Sequence, residues 1–184
     1  MIEGKNSVAT RPASKGDSFL TSFSTITGNE FPEKFVIATN DEVNDAVEKA
    51  LAAFRIYKNK SGEEKALFLD AIAEEIMTLG DDLIERAVME SGLPAGRLTG
   101  ERGRTVGQLK LFANLLREGS WVEAVIDTAM PDMQPAPRAD IRKMLVPIGP
   151  VVVFGASNFP LAFSTAGGDT ASALASGCPV IVKA

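Results

Sequence analysis

Gly149-Pro150-Val151-Val152-Val153-Phe154-Gly155-Ala156-Ser157-Asn158-Phe159-Pro160 and Gly177-Cys178-Pro179-Val180-Ile181-Val182-Lys183 bracket the stretch whose reading decides the fold. Val151 to Phe154 is short, wholly apolar and rich in β-branched residues, which predicts a buried parallel strand. Residues 155–158 predict a turn. Residues 160–175 predict a helix with small residues over much of its surface: Ala162, Ala166, Gly167, Gly168, Ala171 and Ala173. Gly177-Cys178-Pro179 ends it, and residues 180–182 predict a second buried strand. Strand, crossover helix, strand makes one βαβ unit and places the chain in the α/β class. A right-handed crossover brings the C-terminal ends of both strands to one sheet edge, where ligands of open α/β sheets bind. Asn158 and Lys183 emerge there, so residues 154–159 and 183–184 form the expected rim of a site.

Upstream, residues 120–147 change character. Residues 121–126 and 141–146 predict two strands, separated by a stretch holding Pro131, Pro135 and Pro137. This reads as a projecting hairpin, the kind of arm that pairs with another subunit. Residues 1–119 are mainly helical. Thr39 and Glu42 fit a capping box, followed by an apolar stripe of Val43, Ala46, Val47, Ala50, Leu51 and Phe54. Ser61 and Glu64 repeat the box, with Leu67, Ala71, Ile72, Ile76 and Leu79 as the next stripe, ended by Gly80. A third helix runs from Asp81 to Ser91, acidic in its first turn as the helix dipole favours, and Gly92 stops it. Pro94 sits where an N1 proline belongs, and a fourth helix extends to about Glu118. Gly96, Gly100, Gly103 and Gly107 weaken its first half or permit close approach of another backbone. Before Thr39, Phe19-Leu20 and residues 35–38 suggest one or two strands, with a turn at Thr27-Gly28-Asn29.

Composition narrows the function classes. The 184 residues carry a net charge of −5, which offers nothing to nucleic acid or an anionic membrane. No apolar run approaches the roughly 18 residues that span a bilayer. The N-terminus lacks the apolar stretch of a secretory signal. One cysteine, Cys178, rules out an intrachain disulfide and points to a reducing, cytoplasmic setting. The absence of histidine excludes a His-based triad or a His-containing zinc site within these residues, and no metal site is expected.

The register of Pro147-Ile148-Gly149-Pro150, Val151 to Phe154, Ser157-Asn158-Phe159-Pro160 and Gly177 to Ala184 resembles the aldehyde dehydrogenase superfamily. The run from Phe154 to Ala175, with Gly100-Glu101-Arg102-Gly103-Arg104-Thr105 and Arg117-Glu118-Gly119-Ser120-Trp121, is similar to its 2-oxoglutarate semialdehyde (2,5-dioxovalerate) branch. The likeness weakens over residues 1–38, where the usual Asn-Pro-x-Thr-Gly is reduced to Ser24-Thr25-Ile26-Thr27-Gly28. It implies N-terminal helices (1–119) and a β-arm (120–147) packed on the start of a Rossmann-like parallel sheet (148–184). It also implies oxidation of 2-oxoglutarate semialdehyde, a small-molecule aldehyde, with NAD or NADP, in a homo-oligomer (dimer or tetramer). There is no G-x-G-x-x-G, but this family seats its dinucleotide differently.

The resemblance assigns roles residue by residue. Asn158 lends its amide to an oxyanion hole, where a neutral fixed N–H donor suits a developing alkoxide; without the flanking match it reads first as a turn residue leading into the helix at Pro160. Lys183 binds the adenosine ribose, or is a solvated lysine at a strand end. Phe154, Gly155, Ala156 and Ser157 line the nicotinamide side. Phe159, Leu161 and Phe163 match the substrate tunnel, or pack a helix. Arg102 and Arg104 offer either an anion contact or surface pairing. Cys178, as a lone cysteine, invites assignment as the nucleophile, but it has no adjacent basic residue and directly precedes a buried strand, so it reads as structural. The family's nucleophile and glutamate base belong to later sequence, so these residues taken alone are expected to be inactive, and because a two-stranded βαβ unit cannot cover both faces of its parallel pair, poorly soluble. The rival reading is another semialdehyde dehydrogenase, or a non-catalytic oligomerisation fragment.

Overall fold

The computed structural model describes residues 2–9, 11–13 and 15–183. Ala184, the last residue of the expected rim, lies outside them. The described chain is α/β, with eight strands in four two-stranded sheets and five α-helices. Two short strands that the sequence did not announce come first, β1 (Asn6–Val8) and β2 (Arg11–Ala13), paired antiparallel. The antiparallel hairpin β3 (Phe19–Phe23) and β4 (Glu30–Val36) follows, turning at Gly28 with φ +74°.

Both capping boxes form. Thr39 and Glu42 open α1 (Asn40–Tyr57), and Ser61 and Glu64 open α2 (Gly62–Thr78). Each satisfies two backbone N–H groups that a helix start leaves orphaned. α3 (Gly80–Ser91) ends at Gly92, φ +69°, a left-handed cap that costs glycine little. Pro94 stands one position earlier than expected, as the N-cap of α4 (Ala95–Glu118).

The core is the packing of α2 on α4 and α5 (Gly168–Ser176). Ala66, Leu69 and Ala73 of α2 meet Leu109, Ala113 and Leu116 of α4 and Ala171 and Ala175 of α5. Alanines at most of these crossings let the backbones approach closely. This corrects the expected faces. On α2, Leu67 and Leu79 are exposed and Ile72 and Ile76 half-buried, while the inward line is Ala66, Leu69 and Ala73. The helix carries apolar residues on more than one face, so periodicity did not single out the one that packs. On α1, Val43, Val47 and Leu51 are likewise exposed and only Ala50 of that stripe is buried. Nor do Gly96, Gly100, Gly103 and Gly107 mark a close approach; a Cβ at any of them would meet nothing within 4 Å.

After α4, Trp121 and Val122 lie in a 3-10 turn (Ser120–Val122) rather than a strand. The arm strands are shorter than expected: β5 (Val125–Asp127) pairs antiparallel with β6 (Ile141–Lys143), and all six residues are exposed. The chain then enters β7 (Val151–Phe154), which pairs in parallel with β8 (Val180–Lys183). α5 joins them and contacts both strands on one side and α4 and α2 on the other. Val153 is buried while Val152 and Phe154 stay exposed, so one face of the parallel pair is covered and the other open.

The crossover helix is the clearest departure from expectation. Residues 160–167 form turns, and α5 begins only at Gly168. Gly167 explains the break. Its backbone is extended, and a Cβ there would lie 2.5 Å from the Ala162 carbonyl oxygen and 2.8 Å from the Phe163 Cα. The chain folds back on itself too tightly for a continuous helix.

Candidate active site

The parallel register places Phe154 opposite Lys183, so the ends of β7 and β8 share one edge as the βαβ topology requires. The Gly155 N–H extends the ladder by donating to the Lys183 carbonyl at 3.1 Å. The loop of residues 155–167 then closes on itself. The Ala156 N–H donates to the Phe163 carbonyl (2.7 Å), and the Phe163 N–H donates to the Phe159 carbonyl (3.0 Å). Ala162 is buried at its centre. Ser157 and Asn158 are exposed at its tip, and Phe159, Leu161 and Phe163 are half-buried along its flank.

Helix α4 holds this loop through three side chains on one face, at spacings of four residues. Arg97 Nη2 donates to the Asn158 carbonyl at 2.6 Å. The buried Glu101 accepts from Arg97 Nε (3.0 Å) with one oxygen and from the Leu161 N–H (3.1 Å) with the other. Thr105 Oγ1 donates to the Leu161 carbonyl at 2.5 Å. Both backbone groups of Leu161 are therefore satisfied by α4, which fixes a segment that has no ladder of its own. A cation–aromatic contact adds to the clamp, the Arg97 guanidinium lying 5.0 Å from the Phe159 centroid, and the Arg104 guanidinium lies 4.8 Å from the Phe163 centroid. The two rings meet edge to face at 5.7 Å.

Arg97, Glu101 and Thr105 escaped the sequence reading as site residues. Their i, i+4, i+8 spacing was visible, but nothing local says which loop that face meets. Of the two arginines with a possible anion contact, Arg102 is structural, donating from Nη1 to the Gly80 carbonyl at 2.5 Å. Among the described residues the Asn158 side-chain amide makes no hydrogen bond, which leaves both N–H donors available.

Cys178 is buried and lies just before β8, at the opposite end of the strand from Lys183 and away from the Asn158 loop. Its Sγ accepts from Ser176 Oγ at 3.5 Å. Nearby, Tyr57 donates to the Leu174 carbonyl (2.9 Å), and burial, with the Cys178 sulfur close by, pushes the phenol up to about 12. Topology and burial both make this cysteine structural. Among the described residues no cluster of three or more Cys, Asp or Glu side chains could hold a metal ion, and no helix is long and apolar enough to cross a membrane.

A dinucleotide fits this edge by donor chemistry. Lys183 closes β8 with three N–H donors suited to ribose hydroxyls or phosphate oxygens. Phe154 exposes an apolar face beside it, and a Cβ at Gly155 would meet nothing closer than 3.8 Å, so the backbone there is open to a flat ring.

The family profile described as the aldehyde dehydrogenase family matches residues 15–184. The chain is 61% identical over 150 residues to alpha-ketoglutaric semialdehyde dehydrogenase 2 of Azospirillum brasilense, covering 82% of this chain and 29% of that protein. It is 55% identical over 150 residues to alpha-ketoglutaric semialdehyde dehydrogenase of Acinetobacter baylyi, covering 82% and 28%. Among solved structures it superposes on betaine aldehyde dehydrogenase of Staphylococcus aureus in complex with NAD+ with a TM-score of 0.83 at 18% identity, covering 98% of this chain and 34% of that one. The chain thus spans less than a third of the length of the curated relatives it matches.

Proposed function

Because the chain belongs to the aldehyde dehydrogenase family, we propose that the protein carrying it oxidises 2-oxoglutarate semialdehyde (2,5-dioxopentanoate) to 2-oxoglutarate with NAD or NADP. The observation that carries the reaction type is Asn158: a neutral amide with unused donors, at the C-terminal edge of a parallel pair, on a loop clamped by α4. The substrate follows from the 61% and 55% identity to two alpha-ketoglutaric semialdehyde dehydrogenases.

When a cysteine thiolate adds to the aldehyde carbon, charge develops on the carbonyl oxygen, and the Asn158 amide donates to it. Such a donor is worth about 2.7–4 kcal/mol, because it is oriented before the charge appears. Cys178, the one cysteine of the sequence, is buried, and none of the described residues is assigned as that thiolate or as the base that activates water. A nicotinamide held at this edge would supply the hydride acceptor. Lys183 orients the dinucleotide through its ribose, and Phe154, Gly155, Ala156 and Ser157 form the wall beside the nicotinamide. Phe159, Leu161 and Phe163 face the aldehyde.

Residues 1–119 and 148–184 together serve this cofactor site. Residues 120–147 join copies into a homo-oligomer, a reading supported by the exposure of Ile126 and Ile141 on a two-stranded arm with open edges. A reducing, cytoplasmic setting fits the lone buried Cys178.

The test is steady-state reduction of NAD+ and NADP+ by the purified protein with 2,5-dioxopentanoate, against its Asn158→Ala variant. Turnover is expected in the parent and a fall in kcat of about 100- to 1000-fold in the variant, with the fold retained. A parent with no turnover on any semialdehyde would sink the reading.

A further inference from the structure

Resting on the semialdehyde reading above, we propose that Arg104, stacked on Phe163, is the residue that recognises the carboxylate at the far end of the substrate. It decides for acidic over uncharged aldehydes.

The other arginines of α4 are committed. Arg97 is held by Glu101 and the Asn158 carbonyl, Arg102 by the Gly80 carbonyl, and Arg117 by Glu63 and Asp70. Arg104 is exposed and makes no hydrogen bond or ion pair among the described residues; its one contact of this kind is the face of Phe163. The contact with the ring uses none of the guanidinium N–H donors in a hydrogen bond. A guanidinium held on an aromatic face with its N–H donors unused is suited to taking a carboxylate bidentately. The nearest acid on the same helix, Glu101, is buried and already shared between Arg97 and the Leu161 N–H, so it does not compete.

The spacing suits a five-carbon acid. Arg97 marks the Asn158 end of the loop, and Arg104 follows seven residues later on the same face, about 10 Å along the axis at 1.5 Å per residue. An extended chain of four C–C bonds covers about 5 Å. A hydrogen bond of about 2.9 Å at each end brings the total to about 11 Å, close to that span. Between the two stations, the Phe159–Phe163 pair offers an apolar wall of the right extent for the methylene carbons. An uncharged aldehyde of equal length would meet the same wall and leave the guanidinium edge to water.

The experiment compares 2,5-dioxopentanoate with pentanal in the intact enzyme, its Arg104→Gln variant and its Arg104→Lys variant, with thermal midpoints measured alongside. Losing a charge-assisted pair at a partly exposed site is expected to lower kcat/KM for the acid about 10- to 100-fold, mainly through KM, and to leave pentanal within about twofold. Arg104→Lys keeps the charge but not the fork, and should fall between. If the parent oxidises the semialdehyde and either folded variant keeps the parent's preference for acid over pentanal, the assignment to Arg104 is overturned while the semialdehyde reading stands. If the parent does not oxidise 2,5-dioxopentanoate at all, the reading beneath it fails first. An equal loss on both substrates would also overturn the assignment, since it would make Arg104 a structural support of the loop.

Discussion

Arg97 donates to the backbone carbonyl of Asn158 at 2.6 Å, so the residue proposed to hold the oxyanion sits on a chain pinned to a helix 61 residues earlier. The pin depends on Glu101, whose buried carboxylate orients Arg97 and also receives the Leu161 N–H. Oxyanion stabilisation relies on a donor that does not reorganise as charge develops, and α4 supplies that rigidity from outside the loop.

Glu101→Ala should therefore damage both stability and catalysis. It strands the Leu161 N–H and loosens Arg97, at a cost of about 1.5–3 kcal/mol for the loss of hydrogen bonds to a charged group. Urea unfolding should show the lower midpoint, and kcat should fall more than the affinity for cofactor. An unchanged kcat in a folded variant would show that the clamp does not govern the loop.

Gly167→Ala probes the fold-back directly. An added methyl would lie 2.5 Å from the Ala162 carbonyl oxygen, and both neighbours it meets are backbone, so relief requires moving the loop itself. The expected result is a drop in stability of about 1–3 kcal/mol, typical of overpacking, with loss of turnover. By contrast, Gly103→Ala on α4 meets nothing within 4 Å and is expected to be neutral or to stabilise by up to about 1 kcal/mol through helix propensity.

Glu64 carries an acid-dependent share of stability. The Lys60 ammonium and the Ser61 N–H and hydroxyl hold its carboxyl down to about 2, against an ordinary value of 4.5. The unfolded chain binds the proton first as pH falls. The contribution is thus complete above 4.5 and lost between 4.5 and about 2. Thermal midpoints of the parent and Glu64→Gln should differ near neutrality and converge across that window. A difference that stays constant to pH 2 would contradict the capping account.

Lys65 should be a liability. It is 7% exposed, its ammonium has no ion pair or hydrogen bond among the described residues, and burial pushes that ammonium below the ordinary lysine range, only partly offset by Cys178. Lys65→Met keeps the packing stem and removes the partly desolvated charge, and is expected to raise the thermal midpoint, by about 2–4 °C for each kcal/mol relieved. The penalty is full below the depressed folded value and vanishes as pH rises through 10.5, where the unfolded lysine also loses its proton. The advantage of Met should shrink over the same interval.

Much of the molecule was legible along the chain because its signals are local. The capping boxes at Thr39 and Ser61 involve residues three apart, and the left-handed cap at Gly92 needs one residue type at one position. The β7 and β8 strands announce themselves by apolar β-branched runs, and the parallel connection then obliges Phe154 and Lys183 to share an edge. The family likeness rests on the same stretch, and the family match over residues 15–184 agrees with it.

What tertiary structure alone decided is which faces meet. The α2 pattern has apolar residues on several sides, and only the approach of α4 and α5 selects Ala66, Leu69 and Ala73 over Leu67 and Leu79. The small residues after Pro160 read as helix by composition, yet the 2.5 Å approach at Gly167 and the bonds from Glu101 and Thr105 hold residues 160–167 in turns. Helix propensity there is worth tenths of a kcal/mol per residue, less than a buried carboxylate bonded to a backbone amide. Asn158 could be named from its neighbours in sequence. That it is carried on Arg97, and that Arg104 stands beyond it with donors to spare, required two segments some 60 residues apart to be laid side by side.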